Sequence, residues 1–150
     1  NEFHFHHKKT DGPVARVQYI IDINNYASCT GKRIFLPLNL LNRMDYVPPR
    51  NSDRKRNVVL NFPFIDIDSI RFILPEGYEI ESSPENFEFK TRFGEYTASV
   101  EVSGRNVLYV RKRKKNKGVF PADSYDEFRA FYKKISKADK TKLVLVQTEE

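Results

Sequence analysis

Hydrophobic and polar residues alternate with a period of two along most of this chain, the pattern of strands with one face covered and the other wet. Val17, Tyr19, Ile21 and Ile23 share one side, and Arg16, Gln18, Asp22 and Asn24 fill the other. After a polar loop over 25–32, Ile34, Leu36, Leu38 and Leu40 alternate again, and Pro37, which lacks an N–H, requires an edge position or a bulge there. Val58, Leu60, Phe62 and Phe64 form a third stripe. The phase then slips: Ile65 and Ile67 are odd-numbered, whereas Ile70, Phe72 and Leu74 are even-numbered, which predicts a bulge near Asp68 and Ser69. Phe87, Phe89 and Phe93, then Tyr96, Ala98, Val100 and Val102, then Val107 and Tyr109 predict three consecutive strands turning at Gly94 and at 103–106, a β-meander. Leu143 to Val146 reads as a last strand.

One segment has a different period. Tyr125, Phe128, Phe131, Tyr132 and Ile135 recur three and four apart, predicting a helix over 124–138 that docks through Phe128, Tyr132 and Ile135. Ser124 with Glu127 fits a capping box, and Lys133, Lys134 and Lys137 lie toward the end where the helix dipole favours cations. Between the strands, Leu74-Pro75-Glu76-Gly77-Tyr78 has the chemistry of a corner. Pro75 ends one strand, Gly77 permits a positive φ, and Tyr78 and Ile80 start the next. The fold class expected is mainly β, an antiparallel β-sandwich with one C-terminal α-helix, in a single domain over 1–150. The polar stretch 48–56 is too short to divide it.

Composition agrees. All 20 aromatic residues are Phe or Tyr, which favour pleated, half-buried surfaces, and 150 residues suffice for one core. No run approaches the roughly 18 apolar residues of a membrane helix. The first residues resemble no signal peptide and lack an initiator Met, so the chain reads as a piece of something longer.

Candidate chemistry is sparse. His4 and His6 share a strand face and, with His7, form a histidine cluster, but two ligands make a weak metal site. Cys29, the single cysteine, would need a base beside it to act as a nucleophile, and a structural thiol is the commoner case. Asp66 and Asp68 share a strand face, where hydrated surface carboxylates are more common than an acid–base pair or calcium ligands. No Gly-rich phosphate loop, nucleophile elbow or Walker pattern occurs, and no cofactor is implied. The run Arg111, Lys112, Arg113, Lys114, Lys115 and Lys117 supplies much of a formal net charge of +6. The commoner case for such a run is a solvated, lysine-protected edge strand; it is also the candidate interaction surface, for an anionic surface or partner or, less favoured, nucleic acid. A carbohydrate- or adhesion-type binding module is a further alternative, although the chain has no Trp for an aromatic platform.

Several short segments, in order and spacing, resemble the C-terminal domain of bacterial transglutaminase-like proteins, envelope proteins in which an N-terminal β-domain and a papain-like core precede a β-sandwich. They are Asn25-Tyr26-Ala27-Ser28 with Arg33 to Asn39, Leu74 to Tyr78, Phe93-Gly94-Glu95-Tyr96, and Phe120 to Ala138 followed by Asp139 and Leu143. In that family the catalytic Cys, His and Asp belong to the preceding core, and none maps here. The resemblance implies a non-catalytic, extracytoplasmic accessory domain that supports or orients the catalytic core or its substrate. Its partner would be the preceding transglutaminase-like domain, with a protein or glycan as a further candidate.

Overall fold

The computed structural model describes residues 2–8 and 12–148. Twelve strands and one helix follow in order: β1 (Glu2–Lys8), β2 (Val14–Ile20), β3 (Ser28–Thr30), β4 (Arg33–Pro37), β5 (Val58–Leu60), β6 (Phe64–Ile73), β7 (Tyr78–Ser82), β8 (Phe87–Thr91), β9 (Gly94–Ser103), β10 (Asn106–Lys115), β11 (Gly118–Phe120), α1 (Tyr125–Asp139) and β12 (Lys142–Gln147). Every strand pairing is antiparallel. Two four-stranded sheets dominate, ordered β6-β10-β9-β8 and β3-β4-β12-β7. The meander read from the sequence is β8-β9-β10, extended at the β10 side by β6.

One core joins both sheets and the helix. Leu36, Leu143 and Leu145 come from the second sheet, Tyr96, Ala98, Val107 and Tyr109 from the first, and Phe131, Ile135 and Ala138 from α1. The 74–78 segment is the corner its residues predict: β6 stops at Ile73, Gly77 takes φ +75°, and the chain leaves the edge of one sheet to become the edge of the other. Arg105 fastens this corner, donating from Nε to the Leu74 carbonyl at 2.8 Å and pairing with Glu76 at 2.7 Å. At the β8–β9 turn, a Cβ on Gly94 would collide with the Lys114 carbonyl of β10, so only glycine lets these backbones approach.

Four expectations are corrected. No bulge interrupts β6, whose register with β10 is unbroken from Phe64 to Ile73; the irregular register lies instead in β12, between Val144 and Leu145. The phase looked broken because the inward positions include Asp66 and Asp68, while Ile65 and Ile67 face outward and are exposed. The Val17–Ile23 stripe is not covered: β1 and β2 form a separate two-stranded hairpin in which Val17 and Tyr19 are exposed. The stripe from Val58 to Phe64 is split at Pro63 into β5, paired with β11, and the start of β6, leaving Phe62 76% exposed. Ser124 makes no capping box; its hydroxyl donates to the Pro121 carbonyl at 2.6 Å, within a short 3₁₀ turn that precedes α1.

The helix is one residue displaced from its predicted span. Its large apolar side chains buried in the core are Phe131 and Ile135, with Phe128 and Tyr132 half-buried. Phe131 meets the Phe89 ring edge-on at 5.9 Å and Phe128 meets Phe93 at 5.2 Å, so α1 lies on the inner face of the first sheet near the β8–β9 turn.

Candidate interaction surface

The basic run falls on β10, which is an interior strand between β6 and β9, not the edge strand its lysines suggested. Its residues therefore alternate between two faces and do not form one patch. Arg111 is the clearest departure: it is in phase with the buried Val107 and Tyr109, is itself fully buried, and cannot belong to an exposed surface. Its Nε and a terminal nitrogen donate to the two oxygens of Asp139 at 2.8 and 3.2 Å, and its other terminal nitrogen donates to Asp68 at 3.0 Å. Asp68 is thus a buried ion-pair partner directly opposite Arg111 in the ladder, not a hydrated surface carboxylate.

Two buried carboxylates against one guanidinium leave an excess of negative charge, which neutral donors offset. The Tyr96 hydroxyl and the Met44 amide donate to Asp139 at 2.6 and 2.9 Å, and the Asn42 side-chain amide donates to Asp68 at 2.6 Å. Burial pushes the Tyr96 phenol well above its ordinary range, reinforced by its hydrogen bond to Asp139. Burial likewise pushes the Tyr109 phenol up to about 12, and its hydroxyl lies against that of Tyr96 without a well-formed hydrogen bond. For Arg111, burial disfavours the charge, but its hydrogen bonds to Asp139 outweigh that and hold its pKa above the usual value. With no solvent access at the guanidinium, this network joins β6, β10, α1 and the loop after β4; it is architecture.

Of the remaining cations, Lys114, Lys115 and Lys117 line a surface cleft at the end of the first sheet, and Lys112 and Arg113 do not. Lys112 is exposed, and Lys114 lies on the outer face with its Nζ 3.5 Å from Glu95. Arg113 and Lys115 share the other face, their cationic heads 5.1 and 4.8 Å from the Phe64 ring centroid, and Arg113 also stands 5.6 Å from that of Tyr132. Lys117 is exposed in the turn between β10 and β11. Asn116 staples this turn to the β8–β9 turn: its backbone amide donates to the Phe93 carbonyl at 2.9 Å and its side chain to the Arg92 carbonyl at 3.0 Å. That staple brings Arg92, which the basic run did not include, beside Lys114, Lys115 and Lys117. The resulting open cleft has a volume of about 470 Å³, with Phe64 and Phe120 as its apolar floor.

The other candidates stay apart. β1 carries His4 and His6 on the same face, opposite Gln18 and Arg16, while His7 takes the other face and stacks on Phe5 at 6.3 Å. Among the described residues, no group of three or more His, Cys, Asp or Glu is placed to hold a metal. Cys29 is an exposed free thiol in β3. No helix among the described residues is long and apolar enough to cross a membrane.

Fold and surface together define an antiparallel β domain with one helix among the described residues, carrying a basic cleft and a buried ion-paired cluster. Residues 32–145 match the model of a family described as a domain of unknown function with solved structure, DUF3858, and the chain belongs to that family. The β1–β2 hairpin lies outside the matched region. Among solved structures, the chain is similar to one described as a "putative protease" from Parabacteroides distasonis ATCC 8503, with a TM-score of 0.58 and 19% identity. That similarity covers 75% of this chain but only 23% of the other, so it supports the fold and spans less than a quarter of that protein. No curated protein matches the chain.

Proposed function

We propose that this chain is a non-catalytic accessory domain of a transglutaminase-like protein, supporting or orienting a neighbouring catalytic core or its substrate. The observation that carries this reading is that its fold recurs within a chain more than four times as long as the shared part, one described as a putative protease. The short segments that resemble the C-terminal domain of transglutaminase-like envelope proteins add the partner and an extracytoplasmic location. On this reading the catalytic Cys, His and Asp belong to the core, and Cys29 has no part in turnover. The basic cleft, and the hairpin with its exposed Val17, offer surfaces for contact; intrachain domain interfaces of about 600–1,500 Å² are fairly polar and accommodate such a mixture.

The test is to produce the core and this chain separately and titrate one into the other while recording amide hydrogen exchange. Protection confined to the cleft or the hairpin supports the accessory role. Exchange unchanged at every amide refutes it.

A further inference from the structure

We infer that the cleft between the β8–β9 and β10–β11 turns is a binding site for a short acidic peptide segment that also carries apolar side chains. Four of its lining residues are cationic, Arg92, Lys114, Lys115 and Lys117, and among the described residues none of the lining side chains is acidic. Arg92 and Lys114 already face carboxylates, Glu127 at 3.0 Å and Glu95 at 3.5 Å, but among the described residues no carboxylate pairs with Lys115 or Lys117, and an incoming anion would complement those two. The Asn116 hydrogen bonds fix both turns, so the cations are held together before any ligand arrives, which lowers the ordering cost of binding.

Apolar groups at the rim argue for a peptide. Ile65, 56% exposed, lines the cleft, and the exposed Phe62 and Val119 directly precede the lining residues Pro63 and Phe120 in the chain. Cationic and apolar groups thus line one small surface together, which suits a segment that carries both carboxylates and Leu or Phe. Nucleic acid fits less well on two counts. The Phe64 ring is already engaged by Lys115 and Arg113, and Phe120 packs edge-on against Phe93 at 4.8 Å, so neither ring is a free platform for a base. Beyond Lys114 the outer face of the sheet presents Glu95, then Glu88 and Glu101 at positions sharing that face, which repel a phosphate backbone that extends past the cleft. This inference holds whether or not a catalytic core adjoins the domain.

The experiment is fluorescence anisotropy on the intact chain with a labelled peptide alternating Glu with Leu and Phe. Its comparison probes are the same peptide with Gln for every Glu, and a labelled oligothymidylate. Binding to the Glu peptide is expected to weaken with salt, to be lost with the Gln peptide, and to fall roughly tenfold or more in the double variant Lys115→Gln/Lys117→Gln. The variant Lys134→Gln/Lys137→Gln removes the same charge from the exposed side of α1 and is expected to bind nearly as the parent. Equal losses in both double variants mean non-specific attraction to a basic protein and overturn the site. No binding of the Glu peptide, or tighter binding of the oligonucleotide, overturns the ligand class. Circular dichroism of each variant separates unfolding from loss of binding.

Discussion

Arg111 holds together parts of the chain that are far apart in sequence. Its three charge-assisted hydrogen bonds reach Asp68 on β6 and Asp139 at the end of α1, while the Met44 amide ties the loop after β4 to the same carboxylate. Removing one partner from such a network leaves uncompensated buried charge. Arg111→Met is therefore expected to cost about 3–5 kcal/mol in a urea titration, and adding Asp68→Asn and Asp139→Asn should recover part of that loss. Arg111→Lys should not recover it, because an ammonium cannot span both carboxylates as the guanidinium fork does. The same cluster predicts an alkaline limit. A phenol pKa raised by folding means the native state favours the neutral form, so the contribution of Tyr109 is complete below pH 10.0 and is lost as pH rises through about 12. Tyr96 shifts in the same direction, so the urea midpoint should hold steady up to pH 10.0 and then fall, and Tyr109→Phe should lessen the fall.

Among elements, α1 and the meander carry the packing. Phe131 is 3% exposed, so Phe131→Ala should cost about 3–5 kcal/mol, and the half-buried Phe128 should cost less when truncated; the reverse order in denaturant midpoints would mean the helix docks on a different face. Gly94→Ala forces the β9 and β10 backbones apart and should cost about 1–3 kcal/mol, read as a lowered melting temperature. The sequence showed these elements because period two and period 3.6 are local properties. The corner at 74–78 was equally legible, since Pro75 and Gly77 each have one clear backbone consequence. What alternation cannot show is whether an apolar face is buried: Val17 and Tyr19 keep perfect phase on a two-stranded hairpin in which both are exposed. Nor does it reveal a charge that is paired inside. Arg111 reads as one more cation in a basic run until its phase with Val107 and Tyr109, and its ladder position opposite Asp68, are taken together. Arg92 had no sequence signal, because only the Asn116 staple brings it to the lysines.

For the molecule as a whole, the family match and the fold likeness describe a domain whose fold also occurs within a longer chain, while its own described surface offers charge and apolar contact. The proposed function divides chemistry in a neighbouring core from recognition or support here. The most direct measurement compares the whole protein with a version lacking residues 1–150, recording the melting temperature of the core and its turnover. The account predicts that deletion lowers the melting temperature or the turnover, and that restoring the chain with Lys115→Gln/Lys117→Gln recovers stability more fully than activity. A core whose stability and turnover are both unchanged by the deletion would contradict it.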